Sequence, residues 1–234
     1  MIKKGVIASL DANREKKRLE ALQRRYVERR VIVHGFYSAY KSQRIPLECR
    51  LFPYTVELCS VPELKKRIEA GMEIEATTEA FSDVAKRLPA LVLSFQELLR
   101  QEAQSTLQAQ PSRQSTEPVD LNLATSVLQC IRCSGLMFGW SELQEHHCIA
   151  KALGLFYSVY QLEIPAYGQN AKFCCPPESL THQVIRLSGL DPATATIADM
   201  DAVDMSYFCP PCLDHFVPVD LKYYYTWRSI VSQI

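Results

Sequence analysis

Three cysteines and two histidines lie within a short segment just past the middle of the chain, CIRCSGLMFGWSELQEHHC at 130–148. Thiolate and imidazole groups are the usual ligands of protein-bound zinc, and a Cys-x2-Cys pair presents two thiolates from one tight loop. Cys130, Cys133 and His146, with twelve residues between Cys133 and the histidine, match the spacing of a ββα zinc finger. Met137 and Leu143 fall at the two small-core apolar positions of such a finger. The segment therefore predicts a structural zinc site.

The ligands predicted for this first site are Cys130, Cys133, His146 and Cys148, with His147 as the alternative. The fourth ligand departs from the finger spacing, because the positions expected for it hold alanine and lysine. Ser141-x-x-Gln144 is a capping box, which predicts that the helix begins at Ser141. On a regular helix, residues two apart point about 200° away from each other. Cys148 can therefore share the ion with His146 only where the helix frays or turns.

A second group of possible ligands lies in the segment FCPPCLDHF nearer the C-terminus. Cys209, Cys212 and His215 are close together there, and the two prolines between the cysteines would stiffen the loop. Cys175, or alternatively Cys174, is the candidate that completes this site. The alternative is that these cysteines are buried thiols, since free cysteine is among the most buried residue types.

Other chemistry fits the first segment less well. Redox chemistry of the thioredoxin type needs a helix whose N-terminus lowers a thiol pKa. Zinc catalysis needs an open coordination position and a nearby general base, for which Glu142 and Glu145 are the candidates. Charges on a helix usually form only a solvated face. The sequence also has no Gly-rich phosphate loop and no nucleophile elbow, so the chain is predicted not to be an enzyme.

The elements that must position these residues divide into three parts. Residues 1–102 show apolar residues at helical spacing and predict a helical domain. Residues 103–119 repeat Gln, Ser, Thr and Pro, a composition that predicts a flexible linker. Residues 120–234 form the predicted zinc-stabilised C-terminal domain with a finger-like ββα element. The predicted fold class is mainly α, and α+β overall.

Individual helices are indicated by their end signals. A long amphipathic helix crowded with Arg and Lys is predicted over residues 11–40. Ser60-x-x-Glu63 is a capping box and predicts the next helix, with Pro62 in its first turn. A further helical stretch is predicted to end near Leu88, and Pro89 is predicted to begin another.

The formal net charge of zero hides an uneven distribution. Residues 1–50 hold thirteen Lys and Arg against five Asp and Glu, and the rest of the chain holds thirteen against twenty-one. A basic helix of this kind is expected to contact something acidic, and a protein partner is the favoured interpretation. Nucleic acid is the alternative, through the grouped residues Arg24, Arg25, Arg29 and Arg30. Against it, the helix predicted at Ser141 is acidic where a DNA reader carries basic or amide side chains.

The compartment follows from segments that the sequence lacks. No window has the roughly 18 apolar residues of a membrane span, and the first residues show no apolar signal region. We therefore expect an intracellular protein, in the nucleus or the cytoplasm, without a membrane partner. Nine cysteines are then expected to be thiols or metal ligands rather than disulfides. Lys3 and Lys4, followed by the basic residues of 14–18, fit a two-cluster nuclear import pattern.

The runs QCIRCSGLMFGWSELQEHHC, LDPATATIADMDAVDMSYFCPPC and YYYTWRSIV resemble the C-terminal region of a group of uncharacterised basidiomycete fungal proteins. Those proteins are often described as F-box-like or zinc-finger-like, and the similarity extends from about residue 20. The resemblance implies the ligands Cys130, Cys133, His146 and Cys148. In that group a Trp-x5-His usually follows the second Cys-x2-Cys, whereas this chain has Gln233 at the histidine position. The resemblance implies no reaction, and residues 1–50 lack the apolar start of an F-box.

Overall fold

The computed structural model describes five stretches of the chain, residues 2–110, 118–131, 133–146, 173–207 and 224–232. These residues form two compact units, and the boundary between the units falls between Leu98 and Leu99. The architecture is mainly α, with one small antiparallel sheet in the second unit. The predicted fold class, mainly α and α+β overall, is therefore confirmed.

Every regular element within residues 2–98 is an α-helix. The helices are α1 (Ile2–Ser42), α2 (Pro46–Cys49), α3 (Thr55–Leu58), α4 (Pro62–Ile68) and α5 (Ser82–Gln108), the last of which continues past the boundary. The C-terminal half of α1 carries buried side chains, among them Val33 and Tyr37. Residues 11–20 are all exposed. Among residues 11–42 of α1, whose side chains are described, the buried ones therefore lie in the C-terminal half.

The capping box predicted at Ser60 does not form. α4 begins at Pro62, as the proline predicted, but its N-cap residue is Val61 and has no side-chain cap. The hydroxyl group of Ser60 instead donates a hydrogen bond to the carbonyl oxygen of Glu57 in α3. Serine side chains compete in this way for carbonyl groups three residues earlier. Ser60 therefore completes the end of one helix and does not begin the next.

Pro89 lies inside α5 and does not begin a new helix. A proline in a helix interior removes one backbone hydrogen bond and costs about 3 kcal/mol. Pro89 is on the exposed side, where water can bind the freed carbonyl group. Leu88, Leu91 and Val92 are buried on the other side. Burial of each contributes about 1.5–3 kcal/mol, which offsets the cost and keeps the helix continuous.

α5 also extends into the segment that was predicted to be a flexible linker, residues 103–119. Residues 103–108 are helical, and Ala103 and Leu107 are fully buried. The linker prediction is therefore wrong for this part. Ala103 and Leu107 are four residues apart and continue the buried face of the helix, although the composition around them is polar. Residues 111–117 lie outside the described residues.

The second unit contains a three-stranded antiparallel sheet with helices around it. Its elements after α5 are β1 (Val127–Cys130), β2 (Leu136–Phe138), α6 (Gly139–Glu145), β3 (Phe173–Cys174), α7 (Glu178–Leu187), α8 (Ile197–Ala202) and α9 (Trp227–Val231). β1 is the central strand, with Val127 opposite Phe138 of β2 and Cys130 opposite Phe173 of β3. β1, β2 and α6 follow one another in the predicted finger-like ββα order.

An aromatic pair fixes the ββα element on the core of this unit. The rings of Phe138 and Trp227 meet edge to face, with centroids 4.9 Å apart and an interplanar angle of 78°. This is a favoured geometry for aromatic pairs. Phe138 comes directly before α6, and Trp227 begins α9. The pair therefore holds the start of α6 against the core.

Candidate metal centre

Three of the predicted ligands come together in the second unit. The Sγ atoms of Cys130 and Cys133 and a ring nitrogen of His146 all lie within 4.8 Å of one another. In the part of the chain that the structure describes, no other three cysteine, histidine or carboxylate side chains converge in this way. This group can hold a metal ion.

Each ligand is positioned by a different part of the ββα element. Cys130 ends β1, Cys133 lies in the turn before β2, and His146 directly follows α6. Met137 on β2 and Leu143 on α6 are both buried, as the finger-like spacing predicted. Their burial packs α6 against the hairpin. The histidine at the end of the helix is thereby brought beside the turn that carries the thiols.

The distance between two of the ligand atoms is informative. Cys133 Sγ lies 3.6 Å from His146 Nε2. With a zinc–sulfur bond of about 2.3 Å and a zinc–nitrogen bond of about 2.0–2.1 Å, tetrahedral coordination separates the two donor atoms by about 3.6 Å. The two side chains are therefore spaced as two ligands of one tetrahedral ion.

The ligands differ in their exposure to solvent. Cys130 is buried, His146 is half-buried and Cys133 is exposed. An ion can therefore reach the group from the side of Cys133 without unfolding of the unit. The buried thiol of Cys130 connects the site to the sheet.

The helix that carries the histidine differs at both ends from the prediction. α6 begins at Gly139, two residues before Ser141, and the predicted capping box at Ser141 does not form. The carboxylate of Glu142 instead accepts a hydrogen bond from the N–H of Phe138 at 2.9 Å. At the other end, α6 stops at Glu145 and His146 has an extended backbone, with φ −81° and ψ 98°.

The early end of α6 bears on the fourth ligand. Because the helix does not continue through His146, the opposite directions of residues i and i+2 on a regular helix do not apply to Cys148. His147 and Cys148 themselves lie outside the described residues. The structure thus removes the geometrical objection to the predicted ligand set without describing its fourth member.

The turn that continues past Cys133 contains residues that the sequence analysis did not identify. Ser134 adopts a left-handed backbone with φ +56°, which is uncommon for a residue other than glycine. Gly135 follows it and lies beside the ligands, since the position of a Cβ atom built on it would be 3.3 Å from Cys133 Sγ. The spacing Cys-x2-Cys-x-Gly was the signal available in the sequence for this turn.

Only part of the second predicted site is described. Cys209, Cys212 and His215 lie outside the described residues. Cys174 Sγ is 3.7 Å from the carbonyl oxygen of Gln129, and Cys175 Sγ is 3.5 Å from the carbonyl oxygen of Thr106. Neither Cys174 nor Cys175 belongs to the group formed by Cys130, Cys133 and His146. The second site therefore stays a prediction.

An acidic and a basic side chain connect the ββα element to the last helix. The guanidinium group of Arg228 in α9 binds the carboxylates of Glu142 in α6 and Asp201 in α8. It also lies over the ring of Trp227, 4.9 Å from the centroid. The hydrogen bonds from Arg228, and then that from the indole N–H of Trp227, lower the pKa of Asp201. This network fixes α6, and with it the position of His146.

The cysteines of the first unit have no such arrangement. Cys59 is buried, and burial raises the pKa of its thiol to about 12. Cys49 is half-buried, and its Sγ lies 3.5 Å from the carbonyl oxygen of Lys41. Both cysteines are outside the metal-binding group. They provide natural controls for the thiols of Cys130 and Cys133.

Two of the four grouped arginines that suggested nucleic-acid binding are internal. Arg29 and Arg30 are fully buried, whereas Arg24 is exposed and Arg25 is half-buried. Arg29 donates hydrogen bonds to four carbonyl oxygens at and after the end of α4, those of Ile68, Ala70, Gly71 and Ile74. Burial lowers the pKa of both Arg29 and Arg30. Of the four arginines, only Arg24 and Arg25 are therefore accessible to a partner, and nucleic-acid binding stays a prediction.

Two further findings concern membrane spans and similarity to known proteins. None of the helices among the described residues has both the length and the apolar character of a membrane span. Comparisons with protein-family models, curated proteins and solved structures gave no match for this chain.

Proposed function

We propose that the second unit binds a structural zinc ion, and that the protein is a non-enzymatic interaction protein whose helical first unit binds a protein partner. Two thiolates and an imidazole are soft and borderline donors. Such donors favour zinc over magnesium or calcium, which prefer oxygen ligands. The observation that carries the proposal is the 3.6 Å distance between Cys133 Sγ and His146 Nε2.

Cys148, with His147 as the alternative, would supply the fourth ligand. Covalent geometry keeps the Cα atoms of His146 and Cys148 within about 7 Å, since two residues span no more than that. Four protein ligands would close the coordination sphere, which is the property that separates structural from catalytic zinc. The resemblance to the basidiomycete group implies the same four ligands.

Metal content of the purified full chain tests the zinc proposal. Elemental analysis should give zinc bound to the wild-type chain, and Cys130→Ser and Cys133→Ser should each lose it. Cys49→Ser and Cys59→Ser are the matched controls, because these thiols are outside the group. Equal metal content in all four variants would contradict the assignment.

An exposed apolar surface on the first unit supports the interaction part of the proposal. Helix α2 has no buried residue, and Ile45 and Leu47 are 63% and 71% exposed. Lys41 lies over the ring of Tyr37 and Arg44 over another tyrosine ring beside them. Apolar side chains bordered by cations suit a protein partner with acidic residues around an apolar contact.

Site-specific crosslinking tests this surface in an intracellular setting. A photoreactive residue at position 45 should give a discrete crosslinked protein, and Leu47→Asp should abolish the crosslink without changing the melting temperature. The same photoreactive residue at Leu93, which is 65% exposed on α5, is the control. Crosslinks of equal yield from positions 45 and 93 would show random collision and contradict the proposal.

Nucleic-acid binding is the second candidate, and it is favoured by one observation. Residues 11–20 of α1 are all exposed, and the basic residues Arg14, Lys16, Lys17 and Arg18 lie among them. Binding to a random duplex should then weaken with salt, with a logarithmic slope of about −0.9 for each phosphate contact. Neutralising these four residues should lower the slope. A slope that the substitutions do not change would exclude this candidate.

A further inference from the structure

The backbone of Gly135 connects the parts of the turn that holds Cys130 and Cys133. Its carbonyl oxygen accepts a hydrogen bond from the N–H of Cys130 at 2.9 Å, and its own N–H donates to Sγ of Cys133 at 3.4 Å. The N–H of Ser134 donates to the carbonyl oxygen of Cys130 at 2.8 Å, and its carbonyl oxygen accepts from Nε2 of Gln129 at 3.2 Å. Every backbone polar group of Ser134 and Gly135 therefore has a partner, and one partner is a ligand atom.

A side chain at position 135 would enter the space between the ligands. A Cβ atom built on Gly135 would lie 3.3 Å from Cys133 Sγ and 3.9 Å from His146 Cε1. The first distance is shorter than the optimum of about 3.5–4.0 Å for contacts between carbon atoms, and sulfur is larger than carbon. Gly135 does not have a left-handed backbone, unlike Gly139 and Gly189. The space beside the two ligands, and not backbone conformation, is what requires glycine here.

We propose that Gly135 is a positioning residue of the metal site. Its N–H and its missing side chain together set Cys133 Sγ at the distance from His146 at which both bind one ion. A hydrogen bond from a backbone N–H also stabilises the charge on a metal-bound thiolate, as outer ligand contacts do in other metal sites. The inference rests on the proposed function, because it concerns the same site.

The contacts of Gly135 predict that its substitution affects metal binding and not folding of the metal-free chain. With alanine at position 135, Cys133 Sγ must move by a few tenths of an ångström to relieve the contact. Cys133 is exposed, so its sulfur has room to move when no ion is bound. In the metal-bound chain the sulfur is fixed by the ion. The substitution should therefore weaken metal binding and leave the metal-free fold unchanged.

Titration of the full chain with cobalt(II) tests this inference. Tetrahedral cobalt bound by thiolates absorbs visible light and shows thiolate-to-cobalt charge-transfer bands, so affinity and geometry are both measured. Gly135→Ala should bind cobalt about 10- to 100-fold more weakly than the wild type, as substitutions around metal ligands do. Its metal-free melting temperature should not change. Gly35→Ala is the matched control, because a Cβ atom at Gly35 in α1 meets nothing within 4 Å.

The outcomes separate this inference from the proposed function. Equal cobalt affinity of Gly135→Ala and the wild type would overturn the inference alone. A wild-type chain that binds no cobalt would overturn the proposed zinc site and this inference with it. If Gly135→Ala does not fold without metal, the substitution is repeated in a Cys133→Ala chain. Recovered folding there supports a contact with Sγ of Cys133, and continued unfolding overturns it.

Discussion

In each unit several oxygen, sulfur or nitrogen donor atoms lie close together, but the two units differ in the cation that those atoms suit. In the first unit, the guanidinium group of Arg29 binds the carbonyl oxygens of Ile68, Gly71 and other residues after α4. In the second unit, two thiols and an imidazole face one another within 4.8 Å. In the first unit the cation is a side chain of the protein itself, Arg29. The second unit has donors that suit a cation from solution.

This difference has a thermodynamic consequence. A built-in cation contributes the same stability at any metal concentration, because Arg29 is part of the folded chain. A bound ion stabilises the folded state in proportion to the logarithm of its concentration relative to the dissociation constant. We therefore expect the second unit, but not the first, to depend on free zinc.

Metal removal is the largest expected effect and would separate the two units. A strong chelator should lower the apparent folding free energy of the ββα element by several kcal/mol. This is less than the scale of about 10 kcal/mol for structural zinc in finger peptides, because the element is also packed on the core of the second unit through Val127 and Phe138. Hydrogen exchange followed by mass spectrometry should show lost protection in residues 127–146 and unchanged protection in α4. Equal loss of protection in both regions would contradict the comparison.

Loss of the built-in cation should have a smaller effect, confined to the first unit. Arg29→Ala leaves four carbonyl oxygens without their donor, and we expect it to lower the free energy of unfolding of this unit by about 3 kcal/mol. Native-state hydrogen exchange of α1 and α4 measures the change. Arg24→Ala is the control, since Arg24 is exposed on the same helix and should cost less than about 0.5 kcal/mol. A similar cost for both would show that Arg29 is not a structural cation.

The network of Arg228 should contribute less again. Arg228→Ala removes its contacts with Glu142, Asp201 and the ring of Trp227, and we expect a loss of about 1–2 kcal/mol because the network is partly exposed. Both tryptophans of the chain belong to the second unit, so their fluorescence during urea unfolding reports this change. Arg186→Ala, which removes an exposed arginine of the same unit, is the control and should change stability little.

The smallest expected effect is a dependence on pH. The pKa of Asp201 is lower in the folded state than in the unfolded state, chiefly through the hydrogen bonds from Arg228. Its contribution is therefore complete above the unfolded pKa of about 3.9 and is lost as the pH falls through the folded value. Because Asp201 is about half exposed, the contribution should stay below about 1 kcal/mol.

Asp201→Asn should accordingly be less stable than the wild type at neutral pH and equally stable once the pH is below the lowered, folded-state pKa of Asp201. Tryptophan fluorescence in urea at a series of pH values measures the difference. Asp204→Asn is the matched control, because Asp204 is exposed and asparagine also tolerates its left-handed backbone. A constant difference between Asp201→Asn and the wild type at all pH values would contradict the assignment.

The sequence predicted the features of the metal site that depend on local spacing. Cys130, Cys133 and His146 lie in one short ββα element, so the number of residues between them determines whether they can meet. The burial of Met137 and Leu143 was predicted for the same reason. The end of α6 at Glu145 was not predicted, because neither a glycine nor a proline directly follows that residue in the sequence.

Features that depend on distant contacts could not be predicted from the sequence. Arg29 binds carbonyl groups 39 to 45 residues away, and its position in a basic run indicated a solvated surface instead. The helical part of the predicted linker was missed because composition was counted over residues 103–119 without regard to spacing. Within residues 103–108, the two buried residues are Ala103 and Leu107, and they pack this part of the helix into the second unit.

Residues 11–20 of α1 are exposed and continue from the packed C-terminal half of the same helix, so we expect them to exchange between helix and coil. The ion pairs on the surface of this segment, such as that of Arg18 with Glu15 at 3.6 Å, are exposed and contribute only a few tenths of a kcal/mol. Because the packed C-terminal half of α1 meets the nucleation cost of the helix, unwinding residues 11–20 costs little for each residue. Ten residues span about 15 Å as a helix and about 33 Å when extended. When this segment unwinds, its basic residues can therefore reach an acidic surface at roughly twice the distance that the helical segment spans.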